Sequence, residues 1–587
     1  MRRLNLLFIL TAFLFVFACE NPQETALITG KTALGKTTIA IGSKRVATDE
    51  KGNFTVHFSL ENPQLMEAAF AGREWTIYLE PGAETVLNIP KKKSEKIAFS
   101  GDLAVENKYL SSIEGLAEKV NQEFYNQWQE LFSGSQEELV SFFDSLKTLY
   151  LADLTAYSKA ESTLNAAFQN IWKAEIHYGL NWIIYRYPEI YWQHWGTRPV
   201  LDKTTLIYLE QVPVDKPAYA SLPSYARFAN AFIDYRVDQL VHKNTEKKHY
   251  GLKKMEALLE FIPEAFTYDT LKNRWLTHYM LHHLEKHRLA NAQPYLDRYK
   301  DLCTDADLKQ EVKNQVMEME EARKDHEVQI YKTVDGFQLE AHIFEPYRLN
   351  PTEKRPAIVL FHGGGWEDGN AGWAFDRARH YVEMGLVAIA VQYRLANTQD
   401  VFIHECMDDA RGLIIWTREH AADFGIMPEK IVGYGWSAGG HLVTSAAVFP
   451  ESNKEGISSI PNALVLESPA VDLRTGPTSG VWKMNVFGPN RKVGPANPVE
   501  HVRKGLPPTL ILQGHDDTVT PLKGAERFKK AMLEAGNACE LIVYEGVGHL
   551  YTPNHLSDKG NPQPDPVVKA KAQKEADRYI QSQLENL

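Results

Sequence analysis

Gly435-Trp436-Ser437-Ala438-Gly439 is the segment of this chain whose residue types and spacing point most directly to chemistry. It follows the apolar, β-rich run Ile431-Val432-Gly433-Tyr434 and leads into the helix-like His441-Leu442-Val443-Thr444. That strand–turn–helix setting is the one a serine nucleophile needs. Glycine at both flanks relieves a crowded, strained turn. The Ser437 hydroxyl is therefore expected to stand clear, with the Ala438 N–H aimed at a reacting carbonyl; the plainer alternative is that Ser437 only caps a helix. Upstream, His362-Gly363-Gly364-Gly365-Trp366 follows a second apolar run, Ala357–Phe361. Glycines let a loop turn its N–H groups inward, and two of them can hold a developing oxyanion. Gly364, Gly365 and Ala438 are the expected donors, the choice among the three glycines staying open. A tight loop after a strand is the bland reading of the same residues.

A serine hydroxyl is a weak nucleophile unless a histidine, itself oriented by a carboxylate, takes its proton. The run Leu541–Tyr544 ends in Glu545-Gly546-Val547-Gly548-His549, a glycine-rich loop that can present such a base. His549 is the expected base, with His441, His515 and His555 as rivals. The carboxylate is expected to end the preceding run, Thr509–Gln513, where Gly514-His515-Asp516-Asp517 offers two aspartates. Asp472, beyond the run Ala463–Leu466, is a third choice. In this scheme His549 accepts the Ser437 proton as Ser437 attacks an ester carbonyl. An acyl-enzyme forms, the alcohol leaves, and water repeats the cycle.

The elements that must position these groups are legible from about Val328 onward. Short apolar runs at Ala357–Phe361, Val387–Val391, Lys430–Tyr434, Ala463–Leu466, Thr509–Leu512 and Leu541–Tyr544 are mostly separated by helical stretches. Such runs read as strands of a parallel sheet buried on both faces, with functional groups collecting beyond their carboxyl ends. The fold class is α/β, and the catalytic domain is expected over residues 326–587.

This part resembles the hormone-sensitive-lipase-like esterases, and among them most closely the feruloyl and acetyl-xylan esterase branch. The likeness is carried by the order HGGGW, Tyr393-Arg394-Leu395-Ala396, Asp409 on a helix running to Trp416, and then Gly435–Gly440. It implies an α/β-hydrolase with a mostly parallel, doubly wound sheet, acting on small acyl esters without a metal or organic cofactor. The glycine–x–x–aspartate spacing of that group selects Asp517, four positions before Pro521, and leaves Asp516 to cap the turn. Trp366 and Trp436 are candidate walls of a substrate pocket. Trp482, Met484, Val486 and Phe487, in a Gly/Pro-rich stretch before Thr509, are either lid residues or ordinary packing under a loop. The expected activity is a carboxylesterase on acylated carbohydrate. Two alternatives are a prolyl-oligopeptidase-like peptidase, which shares the late triad order, and a scaffold lipoprotein with an idle hydrolase domain.

The rest of the 587 residues sets the context. A net charge of -11 with no basic stripe argues against a nucleic-acid partner; the densest run, Lys91-Lys92-Lys93, is followed by Glu95. Arg2 and Arg3 precede an apolar stretch from Leu4 to Phe17 that ends at Ala18-Cys19. That is short of the roughly 20 residues that span a bilayer and suits a signal peptide over residues 1–18. Val16-Phe17-Ala18-Cys19 resembles a lipobox, which implies an acylated Cys19 and a lipid anchor at the cell envelope, facing periplasm or exterior. Cys303, Cys406 and Cys539 are scattered, with no metal-ligand spacing.

Alternation in Phe54–Leu60 and at Trp75, Ile77 and Leu79 predicts a small β-sandwich-like domain over 19–104. Leu110, Ile113, Ala117 and Val120, then Leu252, Met255, Leu259 and Ile262, mark amphipathic helices of an α-helical domain over 105–325. Together these two segments resemble the β-domain and helical spacer that precede thioredoxin-like domains in some bacterial envelope lipoproteins, but no CxxC follows.

Overall fold

The structure is a computed structural model. It describes residues 25–92, 95–161, 164–347, 352–397, 399–451, 455–476, 485–489 and 492–586. Cys19 and the expected signal peptide lie outside the described residues, as do Trp482 and Met484. Packing divides the chain into two compact units. One comprises residues 1–192, 197–239 and 261–272, the other residues 193–196, 240–260 and 273–587. The helical region is thus shared between them.

In the first unit, β1 (Thr25–Thr32), β2 (Thr38–Ile41), β3 (Lys44–Ala47), β4 (Asn53–Ser59), β5 (Gln64–Phe70), β6 (Arg73–Leu79), β7 (Glu84–Ile89) and β8 (Ala98–Gly101) form two four-stranded sheets. Their orders are β4-β1-β7-β8 and β3-β2-β5-β6. Alternation is clean in β4, where Phe54, Val56 and Phe58 are buried and their neighbours exposed. Buried residues of both sheets, Ile28, Phe58 and Leu87 with Ile39, Ile41 and Ile77, close one core. The helices α1 (Ala104–Ser133), α2 (Gln136–Ala160) and α3 (Ala166–Tyr185) follow. α1 buries Leu110, Ile113, Ala117, Val120 and Phe124 on one face, and a Ser135/Glu138 capping box starts α2. Next come α4 (Tyr187–Trp195), α5 (Lys203–Glu210) and α6 (Pro223–Lys243). The aromatics here are core: Tyr178 meets Tyr225 edge-on at 5.3 Å, and Tyr185 meets Phe228 at 5.5 Å.

The chain then runs through α7 (Tyr250–Ala265), α8 (Asp269–Leu302) and α9 (Ala306–Glu321). α8 is broken at Arg288, whose φ of 63° and ψ of −179° fit no helix. Within the second unit these helices are stitched to the start of a large sheet. The Asn291 amide donates to Gln338 O and accepts from Gln338 N, both at 2.8 Å, and His249 N–H donates to Asp335 O at 2.8 Å.

That sheet consists of β9 (Glu327–Val334), β10 (Phe337–Phe344), β11 (Arg355–Phe361), β12 (Val387–Val391), β13 (Ile426–Trp436), β14 (Ala463–Glu467), β15 (Thr509–Gly514) and β16 (Cys539–Tyr544). Its order is β16-β15-β14-β13-β11-β12-β10-β9, parallel throughout except that β10 runs antiparallel to β9 and β12. α10 (Phe375–Glu383), α11 (Ile403–Glu419), α12 (Ala438–Val448), α13 (Leu522–Glu534) and α14 (Pro566–Asn586) complete the unit. Ala378 and Tyr381 of α10 share a core with Val432, Ile358 and Ala576 of α14. The next residue along β13, Gly433, faces Val443 of α12 so closely that a Cβ would lie 2.4 Å away. Successive strand residues point to opposite faces, so helices cover both. This is why Val387–Val391 is buried at every position and reads as a continuous apolar run.

Candidate active site

β13 ends at Trp436 and α12 begins at Ala438, which leaves Ser437 in the turn with φ 53° and ψ −120°. A non-glycine residue in that region costs on the order of 1–3 kcal/mol and must be held there by its surroundings. The Ser437 N–H donates to Glu467 O at 3.0 Å, and its carbonyl accepts from Ala470 N at 3.2 Å. The flanking glycines permit the approach: a Cβ at Gly439 would sit 2.1 Å from Phe361 O, and one at Gly435 2.3 Å from Gly439 O.

The Ser437 hydroxyl lies 3.0 Å from His549 Nε2, and His549 Nδ1 lies 2.9 Å from Asp517 Oδ2. All three residues are buried. With Nδ1–H directed at the carboxylate, the free lone pair of Nε2 faces the serine. Asp517 is itself fixed: Oδ1 accepts from Val519 N (2.9 Å) and Thr520 N (2.7 Å), and Oδ2 accepts from Gln513 Nε2 (2.9 Å). Such an arrangement can move a proton from serine to histidine and stabilise the resulting imidazolium.

The other candidates are engaged elsewhere. Asp516 is exposed and bonds His515 and Asn554. The Asp472 carboxylate is buried against Arg527 and accepts from Arg474 N. His515 is exposed beside Asp516 and Glu545, which raise its pKa, and His555 is exposed. His441 donates from Nε2 to Ala496 O (2.7 Å) and accepts at Nδ1 from the Trp366 indole (3.3 Å). Its burial lowers its pKa to about 4, so it is neutral and holds Trp366 in place.

The loop after β11 is locked from behind. His362 Nδ1 donates to Gly363 O (2.7 Å), its ring stacks on Tyr393 at 4.3 Å, and the Tyr393 hydroxyl donates to His362 O (2.9 Å). Burial lowers the His362 pKa to about 4 as well. A Cβ at Gly363 would lie 3.1 Å from the Ser437 Cβ, so the loop rests on the elbow. Gly364 has φ 108° and meets Asp368 O where a Cβ would stand. Gly365 faces open space and, with Trp366 and Ser437, lines a cavity of about 70 Å³. Ala438 is the first residue of α12, whose opening N–H groups have no acceptor within the helix.

Trp366 therefore borders the cavity, whereas Trp436 packs against the Arg377 guanidinium at 4.9 Å and is not among the residues lining it. Val486 and Phe487 are buried and, among the described residues, do not line it either. The apolar part of the remaining wall includes Pro469, Ala470, Leu473, Val519 and Pro521.

Sequence reasoning missed two supports. Asp558 accepts from His549 N (3.2 Å), from Thr518 N (2.8 Å) and from the Thr518 hydroxyl (2.6 Å), joining the histidine loop to the acid loop. Arg377 pairs with the buried Glu467 at 2.8 Å, beneath the carbonyl that holds Ser437. Neither carries a local signal, because the partners are far apart in sequence or sit in a featureless loop.

A family model described as BD-FAE matches residues 343–532. That span runs from β10 to α13 and takes in the loop after β11, the elbow after β13 and Asp517. The C-terminal fold is that of an α/β-hydrolase. The chain is similar to a probable carboxylic ester hydrolase, LipM, of Mycobacterium tuberculosis, 27% identical over 31% of this chain and 45% of the relative. It is also similar to esterase LipQ of the same organism, 26% identical over 32% of this chain and 48% of the relative. The chain thus spans about half the length of these curated relatives. Among solved structures, apo esterase 2 of Thermogutta terrifontis is 32% identical over 44% of this chain and 95% of its own, with a TM-score of 0.39.

Proposed function

We propose that the C-terminal α/β-hydrolase is a serine carboxylesterase that removes small acyl groups, acetyl foremost, from carbohydrate. The observation that carries this reading is the hydrogen-bonded series Asp517–His549–Ser437 opening on a cavity of about 70 Å³. Ser437 attacks the ester carbonyl as His549 takes its proton, and the N–H groups of Gly364, Gly365 and Ala438 receive the oxyanion. The acyl group occupies the small cavity between Trp366, Ala470 and Leu473, whose volume of about 70 Å³ suits a short chain. Asp517 keeps the proton on His549 Nδ1, so that Nε2 can pass the serine proton to the departing alcohol. The esterase names of the similar proteins support hydrolysis of an ester. The carbohydrate substrate rests on the HGGGW branch of the motif.

Hydrolysis of p-nitrophenyl acetate by the purified protein, and its loss in Ser437→Ala by about 10⁶-fold in kcat, tests the mechanism. Equal release by wild type and variant would sink it. Acetylated xylan against a prolyl peptide then tests the substrate class. The same reading has the protein tethered through lipid on Cys19 at the cell envelope. Metabolic labelling with an alkynyl fatty acid should tag the wild type and not Cys19→Ala.

A further inference from the structure

The first unit contains a cleft of about 800 Å³ between β6 and α1, with Tyr150 of α2 and Trp172 of α3 also lining it. Pockets of roughly 300–1,000 Å³ are the size that holds a specific ligand. β6 is the free edge of its sheet. At one point that edge is already closed: Tyr78 N–H donates to Asn107 Oδ1 (2.8 Å), and Asn107 Nδ2 donates to Tyr78 O (3.1 Å). The asparagine amide thus stands where a neighbouring strand would be. Main-chain groups of an antiparallel strand point alternately to its two sides, so Thr76 and Glu74 present their N–H and C=O to the same edge as Tyr78. Both residues line the cleft.

Two further features mark the cleft as a site. The Trp75 Nε1 and Tyr150 hydroxyl atoms are buried without a hydrogen-bond partner among the described residues, in side chains only 5% and 0% exposed. The charged lining is lopsided, with Glu67, Glu74, Glu114 and Glu118 against Lys119; Arg73 pairs with Glu114 at 3.5 Å. Burial and the neighbouring Glu74 push the Glu67 carboxyl up to about 7, against a smaller pull from Arg227. A cation arriving beside it would relieve that cost.

We propose that this cleft takes up an extended polypeptide segment rich in lysine or arginine, which adds to β6 as a further strand. Its main chain pairs with Glu74 and Thr76, and its alternate side chains reach the glutamates. The hydrogen bonds supply affinity in any sequence, and the carboxylates select basic ones.

The probe is a blocked heptapeptide alternating lysine and valine, titrated calorimetrically into the full chain. Saturable one-to-one binding is expected, weakened about tenfold or more by Glu67→Gln combined with Glu114→Gln. Thr76→Pro removes an outward N–H at an edge position where proline is tolerated, and it should weaken binding to a similar degree. The same peptide N-methylated at alternate residues should not bind, an arm that needs no variant of the protein. Absence of binding overturns the proposal. So does equal binding of the N-methylated peptide, or full displacement by a linear triamine at equal concentration, which would mark a pocket for small cations.

Discussion

Ser437 is held in a left-handed conformation by bonds to two neighbouring segments, and its base is held by a residue with no part in the proton path. Asp558 accepts the His549 N–H and both Thr518 donors, so the acid loop and the histidine loop move as one. A displacement of about 1 Å in such a group costs on the order of a hundredfold in rate. Asp558→Ala should therefore lower kcat for p-nitrophenyl acetate by about 10- to 100-fold with KM little changed, while Asp558→Asn, which keeps an acceptor oxygen, recovers most of the loss. Steady-state kinetics beside a thermal melt separates this from unfolding. At this scale the sequence was informative where chemistry forces spacing. Ser437, the aspartate pair and His549 stand beyond the ends of β13, β15 and β16, and the family resemblance favoured Asp517, the one beside His549. It was silent on Asp558, an aspartate in a polar stretch like many others.

At the scale of elements, the strand ends are cross-linked behind the site. Arg394, just beyond β12, makes a two-pronged pair with Asp409 of α11 at 2.8 and 2.9 Å, and Lys332 of β9 joins the same carboxylate at 2.7 Å. The Asp409 side chain is wholly buried. Removing the partner of a buried charge costs about 3–5 kcal/mol when nothing else compensates it; with Lys332 still bonded to Asp409, the lower end of that range applies. Arg394→Ala should destabilise the C-terminal unit by about that much in urea titration, and Arg394→Lys, which keeps the charge but not the fork, by less. The resemblance had put Arg394 and Asp409 in one motif, but their pairing is a property of the fold. Most of the strands were legible for a plain reason: burial on both faces leaves mostly apolar residues, and a glycine closely follows β11, β13 and β16 and closes β15. β9 and β10 were less so: in β9, the edge strand, only Tyr331 is fully buried, and β10 interrupts its buried run with Glu340 and His342.

For the molecule as a whole, the buried histidines of the C-terminal unit set its tolerance of acid. Burial holds His283, His342, His362 and His441 near a pKa of about 4, below the ordinary 6.5. The unfolded chain therefore binds more protons than the folded one between pH 6.5 and 4, and stability falls as pH drops through that window. Glu67 and Glu367, both raised to about 7 by burial, work in the opposite sense between pH 7 and 4.5 but are fewer than the histidines. Melting temperature should be level from pH 8 to 7 and fall by about 5 °C or more by pH 5; a flat profile would mean these rings are charged or exposed in the fold. The periodicity of the helices between 105 and 325 was plain in the sequence, but their division between two units was not, because apolar faces do not name their partners. Asn291 is the instructive case. Its side chain completes the hydrogen bonding of β10 from 47 residues upstream. In evolutionary terms, the hydrolase is not a cassette that begins where its first strand begins. A recombination junction placed at residue 326 would strip Gln338 of the Asn291 amide, so an exchange that keeps this bond carries α8 along with the sheet.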